Sequence, residues 1–342
     1  MKVAVMEGIK KISIQEREIP KPKEDEVLIR IKSVGICGSD IHYYKEGRIG
    51  SFVVEKPLIL GHEAAGEIID IGSNVRFLKV GDRVALEPGI PCRKCIYCKK
   101  GRYNLCPEIS FMATPPVDGA FAEYVTHPSD FVFKLPDNIS YDEGALIEPL
   151  SVGVYACEKA KITPGEDILI FGAGPIGLLT LQTAKVYGAK NVVVVDINNF
   201  RLYKAKELGA DYIINSKLEN LKDKVKEIFP EGVDIIFEAS GSSSVIMEST
   251  KFVKRGGRIV FIGLTSEDFS KININEMISK ELEFFSIFRY ANVYQKAIDL
   301  VAKGKINLKP LITHHFSLEK VQEALNFADE NKEKCIKVII NP

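Results

Sequence analysis

Apolar and polar positions fall into two regimes along the chain. Over the first third, Val3 to Met6, Lys11 to Glu16 and Val27 to Val34 alternate or run apolar with prominent β-branched residues, which predicts strands. Ile19-Pro20-Lys21-Pro22-Lys23 interrupts them, and its prolines exclude a central strand there. Glu67–Ile71, Arg83–Leu86 and Phe131–Leu135 extend the series between Gly and Pro punctuation. Many short strands and few helices predict a compact, barrel-like β domain.

The second regime begins near Glu148-Pro149, where apolar runs alternate with helical patterns. Ile168–Phe171 is an unbroken apolar run, followed by glycines and a predicted helix over Leu178–Tyr187; Val192–Val195 is a second run, with a helix over Arg201–Leu208. Ile235–Phe237, Ile259–Ile262 and Leu282–Phe288 continue the theme. Strands apolar on both faces, alternating with helices, predict a parallel, doubly wound α/β sheet. Beyond Tyr290 the pattern gives a helix over Val293–Ala302, the break Lys309-Pro310-Leu311-Ile312, a helix from Ser317, and a closing strand Ile336–Ile340 that returns to the first domain.

A length of 342 residues agrees with two domains, and 46% hydrophobic with 27% charged residues is a soluble, globular composition. A formal net charge of zero gives no reason to expect nucleic acid or an anionic membrane as partner. No apolar run approaches the ~20 residues of a membrane span, and the start, Met1-Lys2-Val3-Ala4-Val5-Met6-Glu7, meets an acid too early for a secretory apolar region. The expectation is a cytoplasmic enzyme acting on a small molecule.

Seven cysteines are present, four of them as Cys92-x2-Cys95-x2-Cys98-x7-Cys106. Four thiolates so close can close a tetrahedral zinc site, and closed all-cysteine sites are structural. The interleaved Arg93, Lys94, Lys99, Lys100 and Arg102 are expected to offset its negative charge. Gly172-Ala173-Gly174-Pro175-Ile176-Gly177 follows an apolar strand, opens a helix, and precedes a strand ending in Asp196, the context a dinucleotide fingerprint requires. Its glycines allow a tight turn with the diphosphate at the helix N-terminus. Asp196 suits the adenosine ribose hydroxyls and repels a 2′-phosphate, so NAD is favoured over NADP, with Arg201 packing over the adenine.

Gly61-His62-Glu63 and the upstream Cys37 offer imidazole, carboxylate and thiolate, a three-ligand zinc set with a fourth position open. Beside a nicotinamide, such a zinc lowers the pKa of an alcohol, and hydride passes to NAD from the zinc-bound alkoxide. Ser39 then takes the alcohol proton and His42 passes it to solvent; the alternatives are a turn cap for Ser39 and a solvated surface position for His42.

Gly61-His62-Glu63-x2-Gly66-x5-Gly72-x2-Val75 resembles the zinc signature of the medium-chain dehydrogenases, and the resemblance extends over essentially the whole chain. It implies a GroES-like catalytic domain over 1–150 and 291–342, with the cysteine lobe at about 88–108, split around a Rossmann NAD-binding domain over 151–290, and an active site in the cleft between them. Gly35-Ile36-Cys37-Gly38-Ser39-Asp40-Ile41-His42-Tyr43, Gly47-Arg48-Ile49-Gly50, Ala113-Thr114-Pro115-Pro116, the stretch Glu143 to Gly153, and Phe288-Arg289-Tyr290 are similar to the sorbitol (polyol) dehydrogenase branch.

That resemblance implies Cys37, His62 and Glu63 as zinc ligands with water, and Glu148 as a carboxylate that reaches the metal directly or through that water; which acid touches the resting zinc stays open. It also implies Tyr43, Phe111, Thr114, Glu148, Arg289 and Tyr290 as the substrate pocket, with core packing as the alternative for Phe111, and a homotetramer. The leading expectation is an NAD-dependent zinc polyol dehydrogenase oxidising a secondary alcohol of a sorbitol- or xylitol-like compound to the ketose. L-threonine and 2,3-butanediol dehydrogenases share both zinc motifs, and Arg289 also suits an amino-acid carboxylate. A non-catalytic nucleotide-binding or structural protein predicts decayed ligands, whereas Cys37, His62, Glu63 and Glu148 are all present. His127, read as a loop residue, and His314 and His315, read as preceding a helix, are expected to be structural or solvated; Cys157 and Cys335 are expected to be buried thiols.

Overall fold

The computed structural model describes residues 1–265 and 269–342. Contacts divide the chain into two units: Met1–Glu148 with Tyr294–Gly304 and Leu308–Pro342, and Pro149–Val293 with Lys305–Asn307.

The first unit is built on the strand Glu26–Gly35, whose residues Val27, Ile29, Ile31 and Val34 are buried. It pairs antiparallel with Glu63–Ile71, with Tyr124–Pro128 and with Lys337–Asn341. Arg83–Leu86 and Val132–Lys134 extend the sheet on one side, and Ile312–Ser317 on the other. The C-terminal strand therefore lies against Glu26–Gly35, pairing Ile340 with Val34 and Ile339 with Gly35. A smaller sheet of Lys11–Glu16, Lys2–Gly8 and Leu58–Ile59 closes over a core that includes Val3, Val5, Ile29, Ile68, Leu86, Phe121 and Ile340.

The C-terminal part departs from its sequence pattern. His314 and His315 lie within the strand Ile312–Ser317, and the helix expected from Ser317 begins at Val321 after a short 3-10 turn. Alternating exposure along the strand gave no apolar run to read. His127 also lies in a strand, paired with Val27 and buried, because its Nε2–H donates to the Glu87 carbonyl oxygen at 2.8 Å.

The second unit is a six-stranded sheet in the order Tyr212–Asn215, Asn191–Asp196, Asp167–Phe171, Val233–Glu238, Val253–Phe261, Glu283–Ser286, with every pair parallel. Valines and isoleucines of the inner strands are buried on both faces, as a sheet covered by helices requires. Tyr212–Asn215 was not expected: it has four residues at the sheet edge, only two of them buried, too short for a periodic signal. The helix expected over Leu178–Tyr187 begins at Pro175, one residue after its N-cap Gly174. Among the described residues no helix is long and apolar enough to cross a membrane.

Candidate metal centre and cofactor turn

Cys37 is carried to its place by the end of the Glu26–Gly35 strand and caps the helix Gly38–Glu46. Asp40, in the first turn of that helix, is fully buried and ties the helix start to the Gly61-His62 segment. Its Oδ2 accepts from the Cys37 amide at 2.9 Å, its Oδ1 accepts from the Gly61 amide at 2.9 Å, and Oδ1 lies 3.7 Å from Nδ1 of His62. With Nδ1 turned to a carboxylate, Nε2 is the nitrogen left for a metal. Gly61 has φ of +86°, and a Cβ there would stand 2.7 Å from the Phe121 ring, so only glycine delivers His62 along this path. Asp40 has no role that the motifs assign, although an acid three residues past a cap position is a helix-start signal.

Ligand atoms of Cys37, His62 and Glu63 lie within 4.8 Å of one another. The Glu63 carboxylate fills the space a side chain at position 35 would need, since a Cβ on Gly35 would be 2.0 Å from Oε2. Lys337 donates to both Glu63 oxygens at 2.7 Å and to the Ile36 carbonyl at 2.9 Å, and the lysine is 3% exposed. Burial pulls the Lys337 pKa down, but the Glu63, Cys37 and Glu148 charges outweigh it and the net shift is upward. The sequence carries no local sign of this partner.

His62 reports the same field. Burial opposes its protonation, yet Cys37 and Asp40 hold its pKa well above the ordinary value. Sulfur, carboxylate oxygen and imidazole nitrogen brought within 4.8 Å of one another form the donor set of a zinc site with one position open, so the residues suit zinc.

Glu148 is buried in the same unit but is not one of the three converging ligands; its charge acts on Lys337, Glu87 and Tyr294. Glu87, which no motif singles out, is buried and accepts from the Tyr103 hydroxyl at 2.7 Å. Desolvation pushes its carboxyl pKa up to about 7, against the Tyr103 hydrogen bond. Ser39 is half-buried at the second helical position, and the N-cap is Cys37. His42 is exposed, with Nδ1 3.6 Å from Oε1 of Glu46. Tyr43 and Phe111 are buried, the Phe111 ring centroid standing 5.6 Å from that of His62, and Thr114 is half-buried. Arg289 and Tyr290 belong to the second unit, just past Glu283–Ser286, with the Arg289 guanidinium 4.9 Å from the Phe288 ring centroid.

The four lobe cysteines also bring their sulfurs within 4.8 Å of one another. Cys95 caps the short helix Ile96–Lys99, which returns Cys98 to 3.4 Å, and the Cys92 amide donates to Cys106 Sγ at 3.4 Å. The Lys94 amide lowers the Cys92 pKa to about 7, while desolvation and the neighbouring thiols push Cys98 up to about 12. Cys92 is pulled towards ionisation while Cys98 and Cys106 are pushed away from it, a conflict that a dication at the centre removes. The surrounding cations are partly engaged elsewhere: Arg93 holds Asp130 at 2.7 Å and Lys94 lies 3.6 Å from Glu108.

In the second unit, Gly172 (φ +96°) makes the turn after Asp167–Phe171, and a Cβ on Gly177 would fall 1.8 Å from the Gly172 carbonyl oxygen. Gly174 caps the helix Pro175–Val186, whose next residue Ile176 is half-buried. Asp196 ends the neighbouring strand; its Oδ2 accepts from the Ala173 amide at 2.7 Å and its Oδ1 from the Asn198 amide at 2.9 Å. Arg201 reaches over the same turn, Nη1 lying 3.8 Å from where a Gly174 Cβ would be. Cys157 and Cys335 are buried free thiols, as expected.

Residues 23–137 match the alcohol dehydrogenase GroES-like domain, and residues 175–303 match the zinc-binding dehydrogenase domain. The chain is 47% identical over 343 residues to a sorbitol dehydrogenase of Bacillus subtilis, covering 100% of this chain and 97% of that one. A solved Escherichia coli oxidoreductase/dehydrogenase of unknown specificity superimposes with a TM-score of 0.96 at 41% identity, over 99% of this chain and 98% of the other. An E. coli alcohol dehydrogenase complexed with NADH superimposes with a TM-score of 0.94 at 34% identity, over 100% and 99% of the two chains. With the parallel sheet and two ligand clusters in hand, these matches define a zinc-binding dehydrogenase, an oxidoreductase acting on alcohols. The chain belongs to the zinc-dependent medium-chain dehydrogenase/reductase family, in its sorbitol dehydrogenase branch.

Proposed function

We propose that the chain is an NAD-dependent polyol dehydrogenase, oxidising a secondary alcohol of a sorbitol- or xylitol-like substrate to the ketose. The observation that carries this reading is the convergence of Cys37, His62 and Glu63, a three-ligand set with one carboxylate, which leaves a tetrahedral metal its fourth position for a substrate oxygen. Zinc held there supplies Lewis acidity that makes a substrate hydroxyl easier to deprotonate. Cys37, His62 and Glu63 hold the metal, and Glu148 completes or exchanges with that set. Lys337 holds both oxygens of Glu63 in place, and Asp40 orients His62.

Ser39 takes the proton of the substrate hydroxyl, and His42, on the exposed face of its helix, passes it to solvent. Tyr43, Thr114, Arg289 and Tyr290 supply the hydrogen-bonding groups that a substrate with many hydroxyls needs, and Phe111 supplies a wall beside His62. Gly172, Gly174, Pro175, Ile176 and Gly177 form the diphosphate turn, while Asp196 and Arg201 serve the adenosine half. A 2′-phosphate about 4 Å from Asp196 would lose roughly 4 kcal/mol per unit charge at an effective dielectric of 20, which selects NAD.

A cytoplasmic homotetramer completes the proposal. Its support is the sheet-edge strand Glu283–Ser286, which among the described residues pairs on one side only, together with the exposed Leu264, Phe269, Ile274 and Ile278 of the same unit. All seven cysteines are free, as a reducing compartment requires.

The test is NAD reduction with sorbitol, xylitol, ribitol, 2,3-butanediol and L-threonine, each with and without a chelator. Polyol turnover that the chelator abolishes is expected. Threonine turnover far above every polyol would overturn the substrate class, and chelator-insensitive activity would overturn the metal chemistry.

A further inference from the structure

Glu238 ends the strand Val233–Glu238, the neighbour of Asp167–Phe171 where the strand order of the parallel sheet reverses. Ligands of such sheets bind at the carboxyl ends of the strands, at this switch point. The residue is 0% exposed, and a carboxylate at that depth is tolerated only with donors around it. Its Oε1 accepts from the Ser240 amide at 2.9 Å, from the Ser240 hydroxyl, and from the Gly241 amide at 3.0 Å. Its main-chain oxygen accepts from the Ile262 amide at 2.8 Å and the Gly263 amide at 3.0 Å. One residue thus fixes both loops that follow the two central strands of the second half-sheet.

The two loops are packed without slack. A Cβ on Gly241 (φ +67°) would lie 2.2 Å from the Leu264 carbonyl oxygen, and one on Gly263 would lie 2.3 Å from the Gly241 amide nitrogen and 3.0 Å from Glu238 Oε2. The cofactor turn leans on the same surface, since a Cβ on Gly172 would lie 3.0 Å from the Ser240 amide nitrogen. Burial raises the Glu238 pKa and the Ser240 and Gly241 donors oppose that rise, so the loop amides carry the carboxylate's demand for partners. An apolar strand end would cost less than a buried acid. The acid's return is the shape of the 239–242 loop, against which the 262–264 loop packs.

We propose that Glu238 is a positioning residue for the nicotinamide half of the cofactor: its carboxylate sets the 239–242 loop, against which 262–264 packs and over which that half lies, while Asp196 and Arg201 set the adenosine half. The inference rests on the NAD reading above and on the division of a doubly wound sheet into two mononucleotide halves. It makes the two halves separable by mutation.

The experiment titrates the holoenzyme and its Glu238→Ala, Glu238→Gln and Ser240→Ala variants with NADH and, separately, with AMP, following thermal unfolding alongside. Glu238→Ala is expected to weaken NADH about tenfold, the scale of losing hydrogen bonds to a charged group, and to leave AMP within about twofold. Glu238→Gln, which keeps an acceptor at the same place, is expected to recover most of the NADH affinity. Should Glu238→Ala fail to fold, Ser240→Ala decides, and it is expected to weaken NADH but not AMP. NADH and AMP weakened alike, or NADH unchanged in the folded variants, would overturn the inference. A wild-type protein that does not bind NADH would overturn the NAD reading itself.

Discussion

The two cysteine-containing clusters of the first unit are built on opposite plans. The lobe gathers four sulfurs from Cys92 to Cys106, its sites are mostly half-exposed, and backbone turns alone bring the ligands together. The Cys37, His62, Glu63 set draws on two separated segments and is ringed by charges from further away: Asp40 beside His62, Lys337 on Glu63, and Glu148 within electrostatic reach. A closed, homogeneous shell suits a metal that only holds the chain, and a mixed, buried shell backed by a counter-ion suits one that does chemistry. The difference predicts that loss of the lobe cluster costs stability and loss of the other costs turnover. Glu87 nonetheless links the lobe to Glu148: it accepts from Tyr103 of the lobe, and the Glu148 charge acts on it.

The contrast breaks most sharply at Cys37. Cys37→Ser is expected to lower polyol oxidation by roughly a thousandfold or more, since Lewis-acid stabilisation contributes several kcal/mol. NADH affinity should remain at the wild-type level and metal analysis should show one zinc lost per chain; retained turnover would remove the metal from the chemistry.

Next in size is Lys337→Met, which strands Glu63 in the interior. Breaking a buried pair on one side costs about 3–5 kcal/mol, and denaturant unfolding should register it. The double variant Lys337→Met/Glu63→Gln should lose less than the sum of the two single changes. Strict additivity would show that the two groups do not depend on each other.

His127, which donates to the Glu87 carbonyl oxygen, gives a pH test. Burial lowers its pKa to about 4 in the folded protein, against an ordinary value of 6.5. The folded state therefore favours the neutral ring, and its contribution to stability is present above pH 6.5 and is lost as pH falls towards 4. That window is worth about 3 kcal/mol, because a tenfold change in proton affinity between the folded and unfolded chain corresponds to about 1.36 kcal/mol. His127→Gln should flatten the pH dependence of unfolding there, and an unchanged slope would place the titration elsewhere. The smallest expected effect on turnover is that of Cys98→Ser: one zinc lost, a lower melting temperature, and polyol oxidation at 25 °C close to wild type. A large fall in kcat without loss of fold would show that the lobe reaches the chemistry through Tyr103 and Glu87.

What was legible in the sequence was whatever neighbours in the chain decide. The lobe cysteines lie within one stretch of loop, the cofactor turn needs glycines in fixed succession, and the apolar strands of the second unit need only their own composition to declare themselves. The grouping of Cys37 with His62 and Glu63 was readable as chemistry, because few residue types make a zinc site with an open position. Short or half-exposed elements were not readable: Tyr212–Asn215, the strand holding His314 and His315, and the strand holding His127 carry too little periodicity.

Only the tertiary structure decided the electrostatics. Asp40 meets Gly61 across 21 residues, and Lys337 meets Glu63 across 274. Whether a charge is buried, and which partner answers it, depends on long-range packing and on the water that packing excludes, and neither is written in the order of neighbouring residues.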